Sequence, residues 1–137
     1  MNESSPIIIL DAGPIVAALN ARDPDHAWAA NKLRPADARR PVFITTAAIA
    51  ETTHLLGNET RALGVLATML EVMRREDPEP DEVLNLMRRF SPRMDYADAC
   101  AVILARRHKG AVVLTTDHRD FSIYKVPFIS PRGEFRA

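Results

Sequence analysis

The chain alternates short, uninterrupted apolar runs with longer stretches of helical period. Ile7-Ile8-Ile9-Leu10 follows a proline and is almost wholly β-branched, and Val42-Phe43-Ile44-Thr45 and Ala111-Val112-Val113-Leu114 have the same character. None of the three alternates apolar with polar residues, so each is expected as a strand covered on both faces, as in a parallel sheet. A fourth run, Val126-Pro127-Phe128-Ile129, carries a proline and is expected at a sheet edge.

Between these runs the apolar residues fall three and four apart. Residues 15–19 predict a short helix after the turn Ala12-Gly13-Pro14, with the proline in a first helical turn. Asp23-Pro24 has the form of a cap followed by proline, and Ala27, Trp28, Ala30 and Leu33 give the helix behind it one apolar face. Residues 47–56 predict a helix capped by Thr46, with Ile49, Ala50, Leu55 and Leu56 inward and Gly57 as its stop. A helix opening at Asn58 or Glu59 carries Ala62, Leu63, Leu66, Met69, Leu70 and Met73 on one face, a stripe suited to core or dimer contact. Residues 81–90 predict another, with Val83, Leu84, Leu86 and Met87 inward and Arg88 and Arg89 complementing its carboxyl end. From Ala97 to Ala105 nearly every position is apolar, so this helix, capped by Asp95, should be buried on most sides, with Gly110 as its stop. Strands and helices in this alternation predict an α/β fold with a mainly parallel sheet. His26 reads as a surface residue, residues 34–41 and Glu76-Asp77-Pro78-Glu79-Pro80 as loops, and Arg106-Arg107-His108-Lys109 as a basic group serving its helix dipole. His118-Arg119-Asp120-Phe121 reads as a polar turn whose Phe121 returns to the core, and residues 130–137 as a tail of little weight.

Length and composition narrow the classes. At 137 residues the chain is expected to be one domain, residues 1–137, around a single core. Lys and Arg total 18, as do Asp and Glu, so nucleic-acid affinity cannot come from the charge of the whole protein and must come from local patches, such as Arg88, Arg89 and Arg93. The one cysteine, Cys100, lies inside the apolar helix and reads as a small buried hydrophobe in a reducing compartment. The start carries no secretory signal pattern and no stretch approaches a membrane span, so no membrane partner and a cytoplasmic location are expected. No internal repeat, phosphate-binding glycine loop, metal-binding cysteine cluster or serine elbow occurs.

The acids are the informative residues. Asp11 ends the first strand and Asp117 follows the late one, positions that in open α/β sheets border the ligand crevice. Asp11 could instead be a turn or capping aspartate. Asp98 lies in the first turn of the buried helix, where it can complement the macrodipole or serve as a ligand. Glu51 follows Ala48, Ile49 and Ala50 with no basic residue spaced to pair with it, which suits a side chain facing a cleft; His54 reads as structural. Four carboxylates at one sheet edge would repel each other unless a hard divalent cation relieved them. Ligation by oxygen alone selects Mg²⁺ or Mn²⁺, and the natural chemistry is metal-assisted phosphodiester hydrolysis.

Ile8-Ile9-Leu10-Asp11, Ile49-Ala50-Glu51, Tyr96-Ala97-Asp98-Ala99 and Leu114-Thr115-Thr116-Asp117-His118-Arg119-Asp120-Phe121, in this order and spacing, make the chain resemble a PIN domain over essentially its whole length, specifically the VapC-like ribonuclease toxins of toxin–antitoxin modules. The resemblance implies a PIN-like α/β/α sandwich with a parallel sheet, Mg²⁺- or Mn²⁺-dependent RNA cleavage, a homodimer, and inhibition by a cognate antitoxin; single-stranded RNA is the expected substrate because an enzyme must splay the backbone to reach one phosphate. It places the catalytic and metal-binding acids on Asp11, Glu51, Asp98 and Asp117, with Thr115 or Thr116 orienting water and Asp120 as an accessory acid. The polar residue often found just beyond the first acid of such proteins is absent, since Ala-Gly-Pro follows Asp11. A receiver-like phosphorylation switch also gathers acids at strand ends, but it would want paired acids near the first strand and a phosphoacceptor aspartate after a middle strand, and neither is present. A catalytically silent PIN-like module that binds RNA or protein is the alternative reading.

Overall fold

The computed structural model describes residues 6–34 and 41–136. In chain order the elements are β1 (Ile8–Leu10), α1 (Ala12–Leu19), α2 (His26–Lys32), β2 (Val42–Ile44), α3 (Thr46–Leu55), α4 (Thr60–Leu70), β3 (Arg74–Arg75), α5 (Pro80–Arg89), α6 (Tyr96–Arg107), β4 (Val112–Leu114), α7 (His118–Tyr124), β5 (Phe128–Ser130) and β6 (Gly133–Phe135). The strands form one sheet in the order β3-β2-β1-β4-β5-β6, parallel except for β6, which pairs antiparallel with β5.

The uniformly apolar runs are central strands because helices cover both of their faces. Along β1, Ile9 joins a core with Val113, Phe128, Val83 and the buried side of α6, while Ile8 and Leu10 join a second core with Ile15, Ile44, Leu66 and Leu114. Alternate side chains of a strand point to opposite faces, so α5, α6 and α7 form one outer layer and α1, α3 and α4 the other. Helix α6 is buried at every position from Ala99 to Ala105, as its unbroken apolar composition requires, and Cys100 is among the buried residues. Among the described residues, no helix is long and apolar enough to cross a membrane.

Several local expectations change. The acidic loop after α4 is not simply solvated: Arg74 and Arg75 add strand β3 beside β2, and Asp77 accepts hydrogen bonds from the Thr46 N–H and hydroxyl, both at 2.7 Å. That occupies Thr46, so the cap of α3 is Thr45, whose hydroxyl accepts from the Ala48 N–H. Glu76 takes Arg107 at 2.6 Å and His108 at 2.8 Å, so these two basic residues bind a neighbouring segment as well as lying at the end of α6. His26 is half-buried and its Nδ1 donates to the Ala17 carbonyl; α2 starts there, two residues beyond Pro24. In α3 the buried residues are Ala48 and Thr52, whereas Leu55 is 54 % exposed. Leu66 is the one fully buried residue of the α4 stripe, and in α5 Leu84 faces solvent while Val83 and Leu86 are buried. The terminal segment forms β6 and so moves β5 away from the edge. Residues 35–40 of the loop expected before β2 lie outside the described residues.

Candidate active site

β1 and β4 are neighbours in register, with Leu10 opposite Leu114. From β1 the strand order runs outward in both directions, to β2 and β3 on one side and to β4 and β5 on the other, so the carboxyl ends of β1 and β4 flank the switch point where α/β sheets open a crevice. Asp11 and Thr115, the residues just past the two ends, meet there. The Asp11 N–H donates to the Leu114 carbonyl at 3.0 Å, and the Thr115 hydroxyl donates to Asp11 Oδ2 at 2.7 Å. The same hydroxyl accepts from the Asp117 N–H at 2.9 Å, so one buried threonine links the two strand ends. Beside them Gly13 lies against Thr116, and a Cβ there would clash with the Thr116 Oγ1.

Asp98 reaches the crevice from the first turn of α6. Asp95 caps that helix, accepting from the Asp98 N–H at 2.8 Å, and Asp98 Oδ2 accepts from the Tyr124 hydroxyl at 2.9 Å. Tyr124 is fully buried and packs T-shaped against both Phe90 and Phe121, which gives its hydroxyl a fixed position. Asp117 caps α7, its Oδ1 accepting from the Asp120 N–H at 3.0 Å, and Asp120 Oδ1 takes the Arg93 guanidinium at 2.9 Å. Among the described residues, Asp98, Asp117 and Asp120 bring one carboxylate oxygen each within 4.8 Å of the others.

A model of the PIN domain matches residues 8–128 of the chain. The chain belongs to the PIN domain family. Its PIN fold is similar to that of VapC20 from Mycobacterium tuberculosis, described as a sarcin–ricin loop cleaving toxin, with 23% identity, a TM-score of 0.71, and 87% of this chain and 95% of that one covered. It is similar also to DNA-bound VapBC from Salmonella typhimurium, with 19% identity, a TM-score of 0.58, and coverage of 86% and 92%. VapBC-1 from nontypeable Haemophilus influenzae gives 15% identity, a TM-score of 0.58, and coverage of 90% and 97%. No curated protein matches by sequence.

Electrostatics at the crevice of this PIN domain run against ionisation. Burial pushes Asp11 above the ordinary carboxyl value, and the charges of Asp95 and Asp117 add to it, against the hydrogen bonds from Thr115 and the Ala12 N–H. Asp98 is pushed up to about 8, first by burial and then by the charges of Asp95 and Asp11, with the Tyr124 hydrogen bond opposing. Asp117 is raised by burial and by the Asp120 carboxylate, against the hydrogen bond from the Asp120 N–H, and Glu51, on α3, by burial and by the charges of Asp11 and Asp95. Burial and the bond to Asp98 in turn hold the Tyr124 hydroxyl protonated. Like charges withdrawn together from water favour whatever neutralises them, a proton or a cation.

Of the four acids read from the sequence, Asp98 and Asp117 come together with Asp120, while Asp11 and Glu51 are outside that trio but close enough for their charges to act on one another. The donor set fits a hard divalent ion, being carboxylate oxygen with no imidazole or thiolate. Residues 118–121, which read from the sequence as a polar turn, belong to helix α7, whose first turn carries Asp120 beside the cap Asp117. A helical reading would have placed Asp117, Asp120, Phe121 and Tyr124 on one face by their spacing. Thr115, one of the two threonines that the resemblance assigns to orienting water, is bonded to Asp11. Nothing in the sequence pointed to Tyr124 or to the Arg93–Asp120 pair, both made across distant elements.

Proposed function

We propose that this PIN domain is a metal-dependent endoribonuclease that hydrolyses phosphodiester bonds of single-stranded RNA and acts as the toxin of a toxin–antitoxin pair. The observation that carries the reading is the group of carboxylates at the β1/β4 switch point, held above their ordinary ionisation range by burial and by each other. Structural likeness to VapC20, described as a sarcin–ricin loop cleaving toxin, and to VapBC supports it.

Asp11, Asp98 and Asp117, with Asp120 at the rim, would hold a Mg²⁺ or Mn²⁺ ion, and Glu51 would hold a second ion or orient water. Such an ion supplies activated water for in-line attack on phosphorus and neutralises charge on the phosphate. The chain's own part is to aim the ligands. Thr115 takes one oxygen of Asp11, Tyr124 one oxygen of Asp98, and the Asp120 N–H one oxygen of Asp117, so each carboxylate is fixed through one oxygen. Single strands suit the site because an enzyme must splay the backbone to reach one phosphate. In this reading the chain is a single domain that works in the cytoplasm, forms a homodimer through apolar surface on its middle helices, and is silenced by an antitoxin covering the acidic crevice.

The test is to incubate purified protein with mixed RNA, with and without Mn²⁺, beside Asp98→Asn. Cleavage that needs the metal and disappears in the folded variant is the expected result. RNA binding without cleavage under any divalent ion would overturn the enzymatic reading.

A further inference from the structure

The three clustered acids differ in what holds them. Asp98 is held by a tyrosine hydroxyl and Asp117 by a backbone N–H, whereas Asp120 is held by a full positive charge, Arg93 Nη1 at 2.9 Å from Oδ1. Arg93 lies between α5 and α6, its N–H bonded to the Phe90 carbonyl at 2.9 Å, two residues before the cap of α6. The pair spans 27 residues of chain, yet its side chains are 39 % and 25 % exposed. An exposed pair of this kind adds little to stability, so its consequence is to be sought in the crevice it borders.

We propose that Arg93 is a positioning residue of the ion site, holding Asp120 as a partly neutralised carboxylate at its rim and so setting how tightly a divalent cation is held. This rests on the metal-dependent reading of the crevice. An ion held among these carboxylates would share Asp120 with the guanidinium bound to its Oδ1, and the two cations repel. Arg93 therefore weakens ion binding while keeping the acidic crevice from carrying its full negative charge when no ion is present.

Mn²⁺ titrations by calorimetry, at one pH and ionic strength, test this in wild type, Arg93→Met, Arg93→Lys, Asp120→Asn and the Arg93→Met/Asp120→Asn double variant. Removing the charge should tighten the Mn²⁺ Kd by about fivefold to tenfold. Lysine should restore the wild-type value to within about twofold, because it keeps the charge. Asp120→Asn should weaken binding by about tenfold, and in that background Arg93→Met should change Kd by less than about twofold. Arg93→Gln serves as a second neutral variant should methionine disturb the fold. A Kd unchanged or weakened in both neutral variants overturns the proposal, as does a full tightening that persists without Asp120. Wild type that binds no Mn²⁺ overturns the metal reading itself, an outcome distinct from wild type that binds it with Arg93→Met unchanged.

Discussion

Two groups of acids lie on this sheet, and they are treated in opposite ways. Glu76 and Asp77, just after β3, are each surrounded by donors: Arg107 and His108 on Glu76, and Thr46 and Arg75 on Asp77. Burial works against both carboxylates, yet these partners outweigh it and hold both below their ordinary values. At the ends of β1 and β4 the balance reverses. Asp11, Asp98 and Asp117 have one or two hydrogen bonds each, their near neighbours are other acids, and burial prevails, so all three are raised. Acids whose work is to hold the fold together are given their counter-charges by the chain. Acids left with like charges are destabilising in place, and a small domain keeps such an arrangement where it serves chemistry.

The largest effect expected from this contrast is on activity. Asp11→Asn, Asp98→Asn and Asp117→Asn should each lower metal-dependent RNA cleavage by at least about a hundredfold, since each removes a charged oxygen from the ion. Glu76→Gln should leave cleavage within a few-fold of wild type. A folded crevice variant with full activity in a fluorescent-RNA assay removes that residue from the site, and an inactive Glu76→Gln erases the division between the two groups.

Stability should separate the groups by sign. In EDTA above pH 8, where Asp98 is ionised, Asp98→Asn removes a charge held among like charges and should raise the melting temperature, whereas Glu76→Gln breaks a paired acid, costs about 1 kcal/mol and should lower it by roughly 3 to 5 °C in a chain of this size. Divalent metal should stabilise wild type by about 2.7 kcal/mol at a hundred times its Kd, and Asp98→Asn should lose much of that gain. Melting curves of the three proteins with EDTA and with Mn²⁺ check both statements. An Asp98→Asn that is destabilised with its metal shift intact would return Asp98 to a helix-dipole role.

Solution pH should act on the groups in opposite windows. Folding raises Asp98 to about 8, so the metal-free native state binds more protons than the unfolded chain between the ordinary carboxyl value and about 8, and its contribution to stability falls as pH rises through that window. Glu76 and Asp77 are lowered, so their contribution is present above the ordinary carboxyl values and is lost as pH falls through the lowered ones. Mn²⁺ competes with the protons of the crevice, so its affinity should climb by up to about tenfold per pH unit below 8 for each proton displaced. Titrations at several pH values check this; an affinity flat from pH 6 to 8 contradicts a protonated Asp98.

How much of this was legible in the sequence follows from the range of the forces involved. The strands β1 and β4 and the helix α6 could be read because burial on all sides demands unbroken apolar runs, and Asp11 and Asp117 could be placed because they directly follow such runs. Strand β3 could not be read: its two residues are arginines, and pairing with β2 rather than hydrophobicity makes them a strand. Charged residues at the edge also keep it from recruiting another chain. The same holds for the pairs that distinguish the two acid groups. Glu76 meets His108 across 32 residues and Asp11 meets Thr115 across 104, distances over which local pattern carries no signal. Helix α7 is hidden in the sequence for a different reason, since seven residues with a polar first turn look like a loop unless Phe121 and Tyr124 are read as one buried face.

The smallest expected effect falls on Asp95, the residue that stands between the two groups. Its side chain has a structural task, capping α6 through the Asp98 N–H, yet its charge acts on Asp11, Glu51, Asp98 and Asp117 alike. Asparagine caps a helix about as well as aspartate, so Asp95→Asn removes the charge and keeps the cap, whereas Asp95→Ala removes both at about 1 kcal/mol. If Asp95 is a cap that merely lies near the crevice, Asp95→Asn should keep cleavage within a few-fold of wild type and raise the metal-free melting temperature slightly. Asp95→Ala should then be less stable than Asp95→Asn, with the same activity once folded. Measured side by side with Asp98→Asn, an Asp95→Asn variant equally inactive and equally deprived of its Mn²⁺ shift would make Asp95 a ligand of the ion and move it from the structural acids to the functional ones.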